Sequence, residues 1–191
     1  LFAGDFGQTL ASAQRAKYER ILAELALPAG AHILEIGCGW GGFAEVAARA
    51  GYRVTGLSLS DAQTAYARER IARAGLADRV TLSVQDYRDE RGIYDGVASI
   101  EMFEAVGEKY WPAYFSTLRH SLAPGGRACV QTITIVDNRF EQYRTQSDFI
   151  QQYIFPGGML ASPSRFVADA AQAGLDVART LLFGRDYAET L

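Results

Sequence analysis

The chain has 191 residues, 49% of them hydrophobic, enough for a single domain of the size that hides about 70% of its unfolded surface. A net charge of −3 without a concentrated lysine and arginine face argues against nucleic acid, and no window reaches the roughly 20 apolar residues of a membrane span, so a soluble protein is expected. Cys38 and Cys129 lie in apolar strand contexts and are expected to pack rather than pair, as in a reducing compartment, while isolated His32 and His120 argue against a metal site or a histidine triad.

The chain opens with a helical segment near 10–26. A Pro28-Ala29-Gly30 turn leads into a first strand near 32–36, and ILEIGCGWGG (33–42) follows as an apolar strand, an acidic residue and a run of glycines. Glycine allows positive torsions and close backbone approach. The next run, FAEVAARA, has helical spacing (43–50), so its N-terminal amides face the same turn. Gly37, Gly39, Gly41 and Gly42 could instead serve strand-helix packing alone. Two features favour a ligand turn: Glu35 directly before it, and a spacing E-x-G-x-G-x-G that differs from the nicotinamide fingerprint. This stretch resembles the first motif of methyltransferases that use S-adenosylmethionine, whose acidic residue faces the amino-acid end of the cofactor.

A second strand (52–58) ends in VTGLSLSDAQ and offers Ser58, Ser60 and Gln63, with Ser60 equally readable as the N-cap of a helix over 61–74. A third strand (80–84) leads into VQDYRD, where Asp86 and Tyr87 could bond and flank an adenine ring; taken alone, a polar turn is the better reading. The fourth strand (94–100) ends at Ile100 and runs into SIEMFEAVGEKYW, which places Glu101 and Glu104 on one face of any helical turn that begins there. Carboxylates and aromatic faces at a strand edge stabilise a sulfonium or a carbocation. A helix over 109–122, a Pro124-Gly125-Gly126 turn, a fifth strand (127–135) and a helix over 163–173 complete the pattern. Strands alternating with helices predict an α/β, doubly wound, mostly parallel sheet with its crevice at the C-terminal strand edges. Residues 137–162 interrupt the rhythm with Phe140, Tyr143, Phe149, Tyr153 and Phe155. This aromatic insertion is either a substrate cover or a surface subdomain with its own small core.

EIGCGWGG, GLSLSDAQ, QDYRD, MFEAVGEKYW, QTITI, YIFPGGML and FGRDYAETL stand in the order and spacing of the cyclopropane fatty-acid synthase family, which includes mycolic acid cyclopropane synthases. The resemblance spans essentially the whole chain. It implies a Rossmann-like methyltransferase domain over 1–191. It also implies transfer of a methyl group from S-adenosylmethionine to a cis double bond of a phospholipid acyl chain, followed by proton loss to a bound bicarbonate. On that pattern Glu35, Gly37, Gly39, Gly41, Ser58, Gln63, Asp86, Tyr87 and Ile100 surround the cofactor. Glu104, in FEAVG, takes the place of the bicarbonate-holding glutamate, Ile133 supplies a backbone donor, and Tyr187 is the tyrosine of the last motif.

Two departures bear on chemistry. Gln131 stands where the family has histidine, and it can hydrogen-bond but cannot titrate; Ala105 replaces the histidine after the glutamate. Both touch proton removal more than methyl transfer, and they resemble the branch that makes methyl-branched or methylene fatty acids. The family's cysteine falls before Leu1, and with no initial methionine and a helix-compatible end at Leu191 the domain is expected to be incomplete at both ends. A cytoplasmic enzyme in peripheral contact with the inner face of the membrane is expected, as a homodimer in one reading. The rivals are a small-amine N-methyltransferase, using Glu101 and Glu104 to hold an ammonium, and a cofactor-binding homologue without catalysis.

Overall fold

Strand β1 (His32–Ile36) alternates its side chains across the sheet, and this decides the whole layering. Ile33 points to one core with Val54, Val80, Leu82 and Ala98. Leu34 and Ile36 point to the other with Leu57 and Val97. A strand buried on both faces is typical of parallel sheets covered by helices on each side. The computed structural model describes residues 7–145 and 157–188, of which only the backbone is described for 187 and 188.

Beside β1 lie β2 (Arg53–Ser58) and β4 (Tyr94–Ile100), flanked in turn by β3 (Val80–Val84) and β5 (Leu122–Gln131). The order is β3-β2-β1-β4-β5, and every pairing is parallel. The chain therefore winds outward from β1 to β3 and crosses back to β4, which puts the switch point, and its crevice, at the C-terminal ends of β1 and β4.

Helices α1 (Leu10–Leu25), α2 (Gly42–Arg49) and α3 (Asp61–Arg73) cover the Ile33 face with Ile21, Leu25, Phe43, Ala47, Ala67 and Ile71. Thr9 caps α1 and Ser60 caps α3, each accepting from the amide three residues on, so the capping reading of Ser60 holds. Cys38 is buried and Cys129 half-buried, both as free thiols.

The opposite face holds α4 (Trp111–Ser121), α5 (Asp137–Thr145) and α6 (Pro163–Gln172). Its core is aromatic. Phe103 lies 4.9–5.5 Å, ring centre to ring centre, from Tyr114, Phe166, Trp111 and Phe115. Phe140 of α5, 5% exposed, stacks on Trp111 at 6.3 Å. The first third of the aromatic insertion thus packs into the main core; Phe149, Tyr153 and Phe155 lie outside the described residues. A last short helix, α7 (Gly184–Ala188), ends the described chain.

The fifth strand departs from its expected limits of 127–135. It begins at Leu122, is broken by a register shift opposite Tyr94 and Gly96 where Gly125 takes φ +77°, and ends at Gln131. Thr132 to Ile135, although rich in β-formers, leave the sheet. Ile133 turns its amide to Glu104, and Thr134 bridges Ala161 instead. Tertiary partners outweigh strand propensity here.

Candidate active site

The turn after β1 is fastened before it is open. Gly37 and Cys38 both donate their amides to the Leu57 carbonyl, at 3.0 and 2.8 Å, and Gly41 closes the loop on Cys38 at 2.9 Å. The glycines then divide by task. A Cβ on Gly37 would meet Met102 Cγ at 2.8 Å, and one on Gly41 would meet Ala67 Cβ at 2.9 Å, so both sit against packed side chains, while Gly37 also lines the cleft. Gly39 has φ +49° and no protein atom within 4 Å of where its Cβ would be. Its bareness serves the space in front of it.

That space is a cleft of about 750 Å³ between α1 and the turn, with Glu35, Gly39, Trp40, Ile100 and Glu101 in its wall and Lys17 and Tyr18 of α1 across from them. The volume lies in the range of small-molecule sites. Strand alternation puts Glu35 on the Ile33 face, only 3% exposed, and its Oε2 has no hydrogen-bond partner among the described residues. Burial raises its pKa well above the usual 4.5, and the Ala44 amide near the start of α2 offsets only part of this. A buried, half-satisfied carboxylate at a cleft wall suits a cationic donor such as an α-ammonium. The amino-acid end of S-adenosylmethionine fits these residues.

A second centre lies past the end of β4. Glu101, at φ +52°, holds a backbone conformation rare for a residue with a side chain. Its Oε1 accepts from Lys17 Nζ at 2.8 Å and from Gln131 Nε2 at 2.7 Å, and its amide donates to the Gln131 carbonyl at 3.0 Å. Glu104, three residues on, is 9% exposed. The Ile133 amide donates to its Oε1, and the Met159 amide donates to its backbone carbonyl at 3.0 Å. Glu104 Oε2 and Gln131 Oε1 are buried and have no hydrogen-bond partner among the described residues. Burial pushes the Glu104 carboxyl above its usual range, with the Glu101 charge adding to the rise and the Ile133 and Thr132 hydrogen bonds opposing it.

Of the residues singled out from sequence, Glu35, Gly37, Gly39 and Ile100 line the cleft, and Glu104, Gln131 and Ile133 meet at the second centre. Ser58 and Gln63 come together at 3.3 Å at the end of β2. Gly41 stands behind the turn. Asp86 caps a short 3-10 turn and is held by Arg88 through bonds of 2.9 and 2.6 Å, which lower its pKa; the polar-turn reading describes its geometry. Tyr87 packs edge-on to Tyr114 at 5.7 Å. The Tyr187 side chain lies outside the described residues. Sequence reasoning missed Lys17 altogether: its partner is 84 positions away, and nothing local distinguishes it from a solvent-facing helix lysine. Glu101 was visible as half of a carboxylate pair, but not as the hub between the two centres.

Residues 3–191 match the profile of the mycolic acid cyclopropane synthetase family. Tuberculostearic acid methyltransferase UfaA1 of Mycobacterium tuberculosis is 42% identical over 183 residues, covering 95% of this chain and 43% of that protein. The cyclopropane-fatty-acyl-phospholipid synthase of Escherichia coli K12 is 37% identical over 183 residues, covering 95% of this chain and 46% of its own. The chain thus spans under half the length of these two relatives. Mycolic acid cyclopropane synthase CmaA1, in its crystal structure complexed with SAH and CTAB, superposes with a TM-score of 0.86 at 26% identity, covering 99% of this chain and 70% of that one. With the profile matched almost from end to end, the chain belongs to the mycolic acid cyclopropane synthetase family.

Proposed function

We propose that this chain carries the methyl-transfer centre of an enzyme acting on the cis double bond of an unsaturated fatty acyl chain of a phospholipid, giving a cyclopropane or a methyl- or methylene-branched fatty acid. Bound S-adenosylmethionine supplies the electrophilic methyl group. The SAH in CmaA1 and the fit of Glu35 and Gly39 support that choice. The observation that carries the reading is continuity: one residue, Glu101, lines the cofactor cleft and also accepts from Gln131, which stands two residues before the Ile133 that donates to Glu104.

The chemistry follows from charge. Methylating an alkene carbon leaves a carbocation, which buried carboxylates stabilise and a nearby base must then deprotonate. Glu104 supplies the negative charge. Bicarbonate is the base in this proposal: its one hydroxyl would donate to either of two acceptors that lack a partner among the described residues, Glu104 Oε2 or Gln131 Oε1, and it would share the Ile133 amide with Glu104. Tyr187 completes the set by resemblance. Because Gln131 cannot titrate, proton removal is slower than with histidine and leaves time for a hydride shift. The branched or methylene product is therefore favoured over the ring. The acyl chain is met at a membrane, so the reading includes peripheral contact with its cytoplasmic face; among the described residues no helix is long and apolar enough to cross it.

The small-amine reading needs Glu101 and Glu104 free to hold an ammonium. Lys17 and Gln131 already engage Glu101, and the Ile133 amide engages Glu104, which favours the alkene. Turnover is to be compared on dioleoyl phospholipid vesicles and on water-soluble amines. The expected result is methylation of the vesicles alone; turnover of amines with none on phospholipid would overturn the assignment.

A further inference from the structure

Lys17 is a buried cation, 9% exposed, on a helix whose other charged residues face solvent or its neighbours. Removing an ammonium from water costs several kcal/mol unless it is well paired, and its pair is Glu101, across the cofactor cleft. Glu101 is itself held in an unusual backbone conformation, φ +52°, of the kind that persists where surrounding contacts over-determine it. A strained residue bonded to a buried lysine on one side and to a pocket glutamine on the other marks a chain of three groups with a purpose.

The consequence falls on Gln131. Its carboxamide has two faces of opposite polarity: an NH₂ that donates and an oxygen that accepts. With Nε2 committed to the Glu101 carboxylate, Oε1 is the face left over, buried and without a partner among the described residues. An acceptor there favours a cation or a donor such as a bicarbonate hydroxyl. Turned by half a rotation, the same side chain would present donors and oppose a carbocation. An ionised Glu101, which can only accept, enforces the first orientation, and Lys17 keeps that carboxylate in place.

We propose that Lys17 is a positioning residue that acts through Glu101 to hold Gln131 with its carbonyl oxygen toward the reacting acyl chain. This rests on the methyl-transfer reading for its consequence, though not for its geometry. The proposal assigns Lys17 no contact with acyl chain or base; the Tyr18 ring lies 5.4 Å from its Nζ. Its effect on turnover is transmitted by two hydrogen bonds.

The test has two readouts. The side-chain amide signals of Gln131 in a ¹⁵N–¹H spectrum, assigned by their loss in Gln131→Ala, should show slow solvent exchange and a carboxylate-bonded shift in the wild type. Lys17→Met should speed that exchange, and Lys17→Arg should restore it. Turnover on dioleoyl vesicles at saturating S-adenosylmethionine, so chosen because Lys17 itself lines the cofactor cleft, should fall roughly tenfold in Lys17→Met, and Lys17→Met should add nothing to Gln131→Ala. Should Lys17→Met fail to fold, Glu101→Gln, which keeps the shape and removes the charge, should give the same two effects. Unchanged Gln131 amide signals in these variants would overturn the proposal. So would additive losses in the double variant, or weakened cofactor binding at unchanged maximal turnover. A wild type that methylates no lipid would sink the methyl-transfer reading, leaving the amide signals to decide the positioning role.

Discussion

The turn glycines show how one motif divides its labour residue by residue. The sequence left open whether they serve packing or a ligand, and the answer differs within the run: Gly37 and Gly41 touch side chains, whereas Gly39 faces open space. Gly39→Val should therefore fold, at a strain cost of about 1–2 kcal/mol for a left-handed conformation, yet fail to bind S-adenosylmethionine by calorimetry; undiminished affinity would remove the turn from the cofactor site. Glu35 makes a second residue-scale case. Its native pKa is raised above 4.5 by burial, so folding favours the protonated form, and this contribution is complete below the unfolded value and lost as pH rises through the native one. Glu35→Gln should raise the urea midpoint at pH 8 relative to wild type and change it little at pH 4, while weakening cofactor affinity. A lower midpoint at pH 8 would show that the carboxylate is paired. For Glu104, Glu104→Gln should leave cofactor affinity intact and reduce turnover about 100-fold, the usual scale of acid-base assistance. These residues were legible because strand ends and glycines are written locally. Lys17 was not, because an ion pair between α1 and the end of β4 exists only after folding.

At the level of elements, β1 to β4 and the helices between them were readable to within a residue or two, since each carries a clear period and a turn or cap at its ends. The fifth strand was not. Thr132 to Ile135 have the composition of a strand, and only their bonds to Glu104 and Ala161 draw them off the sheet. Helix α5 was likewise hidden by the polar residues around Phe140. Its place is fixed by Phe140 on Trp111 and by Glu108, which receives Arg144 of α5 at 2.9 Å and Arg165 of α6 at 3.0 Å. Phe140→Ala should destabilise the protein by about 3 kcal/mol, measured by chemical denaturation. A loss under ~0.5 kcal/mol, typical of exposed sites, would mean that α5 is not part of the main core.

For the molecule as a whole, a doubly wound sheet brings two groups of residues to the ends of β1 and β4: the cleft proposed for the methyl donor, and the buried Glu104 with its Ile133 partner, with Glu101 bonded to Lys17 in the first and to Gln131 beside the second. The fold class followed from strand-helix alternation alone, and the family from the order of the motifs. The connection between the two centres needed the three-dimensional contacts of Glu101 and Gln131. The most direct test is to supply S-adenosylmethionine with a trideuterated methyl group together with dioleoyl phospholipid vesicles, and to analyse the acyl chains by mass spectrometry. The account predicts acyl chains carrying one added, deuterated carbon: two deuterium atoms in a ring or methylene product, whose proton leaves from the added carbon, and three in a methyl-branched alkene, whose proton leaves from the chain. Acyl chains without label, while the cofactor binds, would contradict it.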